Sequence, residues 1–327
     1  MENKKHFSKL GLCLFIGSLL ILVVQLIALQ IAGNIPAITS NYNLNFLCGM
    51  LPMYIIAFPL IFLMFQKIPA QMSSDKKKMS FPKLFVAFLM CYSITYIANF
   101  AGVICTTIIA LFKPSGEVEN VMMEITGSLH PAVNFFIVVI CAPIMEELLF
   151  RKVLLSRTIQ YGEGVSVVFS GLVFGLFHGN LNQFVYAFLL GIFFGFIYVK
   201  TRDIRYSIFL HMGINFMGSF IGAFILEHSG YMAIMEAATT GLDEAQLMSV
   251  MTENIGGLAL LLGYFFLLIA FVIAGLVLFI VNFKKFKLLP GEITIEKGKR
   301  FSTVILNVGM ILYCLFWIAQ IILQLIG

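Results

Sequence analysis

Residues 257–283, GLALLLGYFFLLIAFVIAGLVLFIVNF, form an apolar stretch without a single Lys, Arg, Asp or Glu. About 20 consecutive apolar residues are enough for a helix to cross the hydrocarbon core of a bilayer. Because lipid offers no hydrogen-bond partner, the backbone of a single spanning segment must pair with itself as a helix. This stretch therefore predicts a transmembrane α-helix.

The composition of the whole chain agrees with a membrane environment. Of its 327 residues, 60% are hydrophobic and only 11% are charged, whereas an average soluble protein has about 25% charged residues. These proportions exclude a soluble enzyme, a secreted disulfide scaffold and a disordered chain. The formal net charge is +5, but the basic residues do not cluster on a soluble face. We therefore expect contact with membrane lipids and no nucleic acid partner.

Apolar stretches of this kind recur along the chain and predict an all-α fold. The expected architecture is a polytopic transmembrane helical bundle of about nine spans, with eight as the alternative. The fifth stretch is short, so we expect its ends to extend into the flanking residues. The stretches are Leu10–Gly33, Leu44–Gln66, Leu84–Phe112, Ala132–Phe150, Val165–His178, Phe184–Val199, Ser207–Leu226, Gly257–Phe283 and Thr303–Ile326.

The distribution of Lys and Arg predicts the orientation of the bundle. With a cytoplasmic N-terminus, all 21 of these residues except Lys113 fall in segments on the inner side. Such an excess is typical of cytoplasmic loops, so we expect the N-terminus to be cytoplasmic. The first stretch has the basic flank of a signal peptide, but its length and the absence of a small-x-small cleavage site favour a retained anchor.

Ionisable residues within the spans occur only in residues 132–226, which we expect to be the functional core. Residues 1–131 hold the N-terminal spans, and residues 227–327 hold an outer acidic loop and the C-terminal spans. The outer loop, residues 227–256, contains no Lys or Arg. Its apolar residues predict either a helix on the membrane surface or a plain solvated loop. They are Met232, Met235, Leu242, Leu247, Met248 and Met251.

The fourth stretch ends in two acidic residues, Glu146 and Glu147, followed by Arg151. Ionisable groups are costly within a bilayer and mark functional sites. Residues four apart share a helix face, so we expect Glu147 and Arg151 to pair. Glu146 points about 100° away from Glu147 and has no local cation. If the helix continues, Arg151 is buried, while Lys152 and Arg157 extend toward the inner surface.

Three more polar residues lie in the following spans. His178 ends the fifth stretch, and His211 and Asn215 share one face of the seventh. Residues 161–164, YGEG, predict a turn between the fourth and fifth stretches. In an antiparallel hairpin about residue 162, Glu146 and His178 lie at the same height. The spacing predicts one cavity that holds Glu146, His178, His211 and Asn215.

This set of side chains can hydrolyse a peptide bond without a Ser or Cys nucleophile. A carboxylate with a histidine can deprotonate water, and a second histidine with an amide can donate to a developing oxyanion. Alternatively, His178, His211 and Glu146 can be the ligands of one zinc ion. The sequence contains no H-E-x-x-H, G-x-S-x-G or P-loop motif. Both mechanisms, with no cofactor or with one zinc ion, stay open.

Three motifs resemble those of the CAAX-protease and bacteriocin-processing (CPBP, or Abi) membrane proteases. Residues 146–151, EELLFR, resemble the E-E-x-x-x-R motif, residues 174–178, FGLFH, resemble F-x-x-x-H, and residues 211–215, HMGIN, resemble H-x-x-x-N. They occur in the family's order on successive apolar stretches. The resemblance covers about residues 132–226, and Lys152 stands where relatives often have Gly.

The resemblance implies an intramembrane endopeptidase that cleaves a membrane-associated peptide or protein. The founding members remove the C-terminal tripeptide of prenylated proteins, but bacteria generally lack such proteins, so this substrate does not carry over. The resemblance implies that Glu146 is the base that activates water, with His178 as the assisting base. It further implies that Glu147 and Arg151 are a supporting pair, and that His211 and Asn215 form the oxyanion site.

We therefore expect a CPBP-type intramembrane (metallo)endopeptidase of the bacterial plasma membrane. Two other classes of function stay open. A non-catalytic immunity or scaffold protein could bind a partner through the cavity or the acidic outer loop. A transporter could use the polar cluster as an ion relay, although the absence of an evident inverted repeat disfavours it.

Overall fold

The computed structural model describes residues 2–73, 75–118, 120–240 and 243–326, apart from the side chains of residues 121 and 122. This part of the chain contains helices and no strand. Eight of its helices are long and apolar enough to cross a membrane, and a ninth is shorter. In chain order they are α1 (Glu2–Ala32), α2 (Tyr42–Gln66), α3 (Phe81–Ala110), α4 (Pro131–Arg157), α5 (Glu163–Phe177, the short one), α6 (Leu181–Thr201), α7 (Ile204–His228), α8 (Ile255–Lys285) and α9 (Val308–Ile326).

The predicted polytopic helical bundle is confirmed, and α4 to α7 lie at its centre. Helix α5 packs along α6, and α3 and α4 flank this pair. Helix α7 lies against α3 and α4, which brings the polar residues of α7 to those of α4. Helix α1 packs against α2 and α9, and α8 packs against α3, so these outer helices support the central four.

Glycine allows the close contact between α5 and α6. A Cβ atom built on Gly191 of α6 would lie 2.9 Å from the Cα atom of Gly171 of α5. Helices in lipid associate through close packing of small residues rather than through a hydrophobic driving force. Helices α5 and α6 therefore pack closely, and the part of α4 that carries its polar residues lies against them.

Helix α5 differs from its sequence prediction because two glycines limit it. Gly162, with φ +99°, precedes its first residue, and Gly179, with φ +65°, follows its end at Phe177. The expected extension therefore occurs only at the N-terminal end, by two residues, and is wrong at the other end. A helix of 15 residues rises about 22 Å, which is less than the roughly 30 Å of a hydrocarbon core.

Helices α4 and α7 contain π-helical segments next to their polar residues. In α4, the α-helical turn Ala142–Glu147 lies between π segments Phe135–Cys141 and Leu148–Leu154. In α7, the π segment Phe216–Ile221 begins directly after the α-helical part. Such π-helical bulges are rare and occur frequently at functional sites. The sequence patterns above do not predict these segments.

The outer loop is helical where the structure describes it. Helices Tyr231–Thr239 and Glu244–Glu253 pack against each other. The methionines expected on a membrane-facing side are exposed: Met232, Met235, Met248 and Met251. Leu242 lies outside the described residues. The exposed methionines agree with a helix on the membrane surface, and the position of the bilayer stays a prediction.

At the inner end of α4, the expected position of Arg157 is wrong. Arg157 does not extend to the surface but is 8% exposed. Its Nε donates to the Phe65 carbonyl at 2.9 Å, and its Nη1 donates to the Val153 carbonyl at 2.8 Å. The Phe65 carbonyl lies in the last turn of α2 and also accepts the backbone N–H of Ile68 at 3.0 Å. Lys152, in contrast, is exposed as expected.

Helix α7 is anchored at its N-terminus by Asp203. The carboxylate accepts the backbone N–H of Arg205 at 3.2 Å and the Arg205 guanidinium Nη2–H at 2.6 Å, and Lys76 lies 4.0 Å away. The hydrogen bonds from Arg205 are the main cause that lowers the pKa of Asp203. Since α7 carries polar motif residues, this cap helps to fix their position.

We expect Asp203→Ala to lower the free energy of unfolding by about 1 kcal/mol, the usual cost of losing a helix N-cap. Because the pKa of Asp203 is lowered in the folded state, the charged carboxylate stabilises the protein above its unfolded pKa of about 3.9. The difference between Asp203→Ala and wild type should therefore shrink as the pH falls below that value. Unfolding in detergent at pH 7 and pH 3.5 measures it. The control is Asp75→Asn, an exposed carboxylate; an equal loss in both variants would contradict the capping role.

Candidate active site

A fully buried ion pair lies at the end of the α-helical turn in α4. Arg151 Nε lies 3.1 Å from Glu147 Oε2, and both side chains are 0% exposed. The pairing predicted from the four-residue spacing is therefore present. Because its side chain is fully buried, Glu147 is not exposed at the inner interface.

Two aromatic rings contact the Arg151 guanidinium. Its Cζ lies 4.3 Å from the centre of the Phe174 ring and 5.5 Å from that of Phe194. Within the described part of the chain, Nη1 and Nη2 have no hydrogen-bond partner. A guanidinium over an aromatic face gains cation–π energy, more when it is desolvated. Phe174, from the second motif, thus has a defined contact with Arg151 of the first.

His211 joins the two glutamates of α4 to helix α7. Its Nδ1 lies 3.1 Å from Glu147 Oε1, and its Nε2 lies 3.7 Å from Glu146 Oε2. The ring stacks on Phe194 with 5.2 Å between centroids. Glu147 is an acceptor only, so Nδ1 carries a hydrogen and donates it to Glu147. This bond directs Nε2 toward Glu146.

The two neighbouring glutamates lie in different environments. Glu147 is enclosed, whereas the Glu146 side chain is 15% exposed. In the described residues, His211 is the only Lys, Arg or His side chain with a nitrogen within 4.0 Å of the Glu146 carboxylate. The sequence predicts that Glu146 has no cation nearby on its own helix, and its histidine partner comes instead from α7. Glu146 is thus the carboxylate that a bound molecule can reach.

His178 lies across the Phe174 ring from His211. The Phe174 centroid is 4.8 Å from the His178 ring and 5.7 Å from the His211 ring. His178 Nδ1 lies 2.9 Å from the Phe174 carbonyl, and a carbonyl only accepts, so Nδ1 carries the hydrogen and a neutral ring has a free acceptor at Nε2. No described contact within 4.0 Å joins His178 to Glu146.

Asn215 is held by a backbone group of α4. Its Nδ2 donates to the Val138 carbonyl at 2.9 Å. In the π segment, the N–H of Ala142 donates to the Ile137 carbonyl five residues earlier. In the same register the Val138 carbonyl would require an N–H at position 143, which Pro143 lacks. Asn215 therefore satisfies the carbonyl that the proline leaves without a partner, and ties α7 to α4 at this level.

We expect Asn215→Ala to lower the free energy of unfolding by about 1–3 kcal/mol, because the Val138 carbonyl is left without a partner. Adding Pro143→Ala supplies an N–H at position 143 and should recover part of the loss. Chemical unfolding in detergent measures both variants. The matched control is Asn34→Ala, which removes an exposed asparagine. If Pro143→Ala gives no recovery, the π-register explanation is wrong.

The sequence predicts His178, His211 and Glu146 as the ligands of a possible zinc ion. Within the described ranges, no group of three or more His, Cys, Asp or Glu side chains is placed to hold a metal ion. His211 directs its two nitrogens to two different carboxylates, and His178 uses Nδ1 on a backbone carbonyl. A zinc site at these three residues stays a prediction.

The structure adds residues that the sequence does not single out. Phe194 packs on both His211 and Arg151, and nothing distinguishes it from the other 33 phenylalanines in the sequence. Three polar side chains in apolar helices donate to backbone carbonyls in the π segments. They are Ser170 to Phe150 at 2.8 Å, Asn134 to Ser219 at 3.1 Å and Tyr264 to Met217 at 2.5 Å. Isolated polar residues within apolar helices are the sequence signal for such contacts.

The comparisons with known proteins point to the same part of the chain. Residues 128–217, which include all seven motif residues above, match the family model described as "Type II CAAX prenyl endopeptidase Rce1-like". This segment is Rce1-like. The CPBP-family resemblance predicted from the three motifs is thereby confirmed for it.

One curated relative is similar to part of this chain. It is the Bacillus subtilis (strain 168) protein named "Putative membrane peptidase YdiL", which is 33% identical over 90 residues. The match covers 26% of this chain and 36% of the relative, so it spans about a third of that protein's length. No solved structure matches the chain significantly.

Proposed function

We propose that the protein is an intramembrane endopeptidase that hydrolyses a peptide bond of a membrane-associated substrate. One observation carries the proposal: Glu146 and Glu147 are adjacent, yet one is enclosed in an ion pair and the other is accessible beside His211. Placing two carboxylates in different environments is how enzymes separate a supporting charge from a reacting base. The Rce1-like match supports a peptidase at the family level.

In the proposed reaction, Glu146 removes a proton from a water molecule. The resulting hydroxide attacks the carbonyl carbon of the substrate, and the proton passes to the leaving nitrogen as the C–N bond breaks. The products are a new carboxyl terminus and a new amino terminus. The Arg151–Glu147–His211 series of contacts orients the imidazole beside Glu146, and His178 offers a second acceptor at Nε2.

We also propose that His211 and Asn215 stabilise the oxyanion. Asn215 uses one amide hydrogen on the Val138 carbonyl, so its second hydrogen is available for a developing negative charge. His211 can donate only when Nε2 also carries a proton, because Nδ1 already donates to Glu147. Proton transfer between Glu146 and His211 would supply that state.

We place this activity in the bacterial plasma membrane, with the N-terminus in the cytoplasm. The curated relative comes from a bacterium, and the Lys and Arg residues lie in the segments predicted to be cytoplasmic. The substrate class, a membrane-associated peptide or protein, follows from a site built on α4 and α7 within the bundle.

The test is proteolysis by the purified protein in liposomes. The probes are a farnesylated CAAX peptide and a panel of unprenylated single-span membrane peptides, and mass spectrometry reads new termini. Each reaction is run with and without a chelator. Cleavage that survives chelation supports glutamate-activated water, whereas loss that zinc restores supports a metal-bound hydroxide. Absence of cleavage of every probe, with a partner-binding phenotype retained, would favour the immunity or scaffold alternative.

A further inference from the structure

A second feature of the bundle lies away from the candidate active site, at the end of the membrane domain where α3 begins and α6 and α8 end. Here a cleft of about 370 Å³ opens between these three helices. Ligand pockets have volumes of roughly 300–1,000 Å³, so the cleft is large enough for part of a small amphiphile. None of the seven motif residues lines it.

The floor of the cleft is aromatic and tightly packed. Phe286, which follows α8, folds back so that its ring lies 5.0 Å from Phe196 and 6.1 Å from Phe193, measured between centroids. Both partners lie on α6. Rings at these distances form a preorganised apolar surface, which suits a hydrocarbon chain.

Of the described residues that line the cleft, three have polar side chains: Lys83, Asn282 and Lys285. Both lysines are exposed, and Lys285 Nζ donates to Asn282 Oδ1 at 2.7 Å. A peptide would require several backbone hydrogen-bond partners along its length, and the cleft offers few. An apolar floor with two cations at its mouth matches an acyl chain joined to an anionic headgroup.

In the part of the chain that the structure describes, neither lysine at the cleft has an acidic partner. Among the described residues, no carboxylate lies within 4.0 Å of either. Lys76 and Arg205, in contrast, both pair with Asp203, and Lys200 pairs with Glu163. The cleft thus has positive charge that the protein does not neutralise. Lysines at a membrane surface attract anionic lipids by about 1 kcal/mol each.

We propose that this cleft binds one phospholipid with an anionic headgroup. The phosphate lies between Lys83 and Lys285, and one acyl chain lies on the floor formed by Phe193, Phe196 and Phe286. The orientation follows from the lysines, which stand at the headgroup level, while the rings reach toward the hydrocarbon core. This site is independent of the proposed peptidase activity.

The test is lipid binding to the full chain in detergent, measured by native mass spectrometry with phosphatidylglycerol or phosphatidylcholine of the same acyl chains. We expect wild type to bind phosphatidylglycerol preferentially. The double variant Lys83→Gln/Lys285→Gln should bind it about 30-fold more weakly, from about fivefold per lysine. The matched control, Lys67→Gln/Lys297→Gln, removes two exposed lysines that do not line the cleft and should change the affinity less than twofold.

A second variant tests the apolar part of the site. Val86→Trp places a large ring in the cleft while both lysines stay, and it should weaken phosphatidylglycerol binding; circular dichroism checks that each variant is folded. Free glycerol phosphate should not compete, since it has no acyl chain. Equal binding of the two lipids, an equal loss in the control variant, or full competition by glycerol phosphate would each overturn the proposal.

Discussion

Glu146→Gln is expected to reduce peptide hydrolysis by roughly 100- to 10,000-fold in kcat, the range that a positioned general base contributes. The amide keeps the size of the side chain and can still face His211 Nε2, but it cannot take a proton from water. The KM should change little, because the proposed role lies in the reaction and not in substrate binding. Initial rates with the best probe from the liposome assay measure the effect.

The matched control for this prediction is Glu236→Gln, which changes an exposed acid of the outer loop. It should leave kcat within about twofold of wild type. The thermal unfolding temperature of Glu146→Gln should stay close to that of wild type, because a partly exposed side chain without an ion pair contributes little to stability. Wild-type kcat in Glu146→Gln would remove Glu146 from the mechanism.

Arg151→Met is expected to have the largest effect on stability, a loss of about 3–5 kcal/mol in the free energy of unfolding. Removing one partner of a buried ion pair leaves the other charge buried without compensation, here the fully enclosed Glu147. The double variant Glu147→Gln/Arg151→Met removes both charges and should recover most of that loss. Denaturant unfolding in detergent, followed by circular dichroism, measures wild type, each single variant (Arg151→Met and Glu147→Gln) and the double variant.

The stability recovered in the double variant Glu147→Gln/Arg151→Met distinguishes an ion pair from simple packing. If Arg151 acted only by filling the space over Phe174 and Phe194, the single and double variants would lose the same stability. An additive result, with the double variant at least as unstable as the sum of the singles, would contradict the paired arrangement. Lys152→Met, an exposed neighbour on the same helix, should change the free energy by less than about 0.5 kcal/mol.

Much of the fold could be predicted because lipid imposes simple rules. Long apolar stretches such as residues 257–283 must be helices, and the four-residue spacing of Glu147 and Arg151 places them on one face. The resemblance of three motifs located the central segment. These inferences use only helix geometry, composition and short patterns, which a single sequence contains.

The details of the site depend on contacts between helices that a sequence does not reveal. That Glu146 meets His211, rather than His178, depends on how α7 crosses α4. The π segments of α4 and the bond from Asn215 to Val138 arise from the local conflict at Pro143 and from the neighbouring helix that resolves it. Arg157 turns inward because a carbonyl of α2 happens to lie within reach.

The central claim is that Glu146 and His211 act as one unit in the hydrolysis of a peptide bond. A double-mutant cycle on kcat/KM with Glu146→Gln, His211→Gln and the double variant tests it most directly. If the two residues act together, the double variant should be about as slow as the slower single variant, since such effects are strongly non-additive. Losses that multiply in the double variant would show independent roles and contradict the claim.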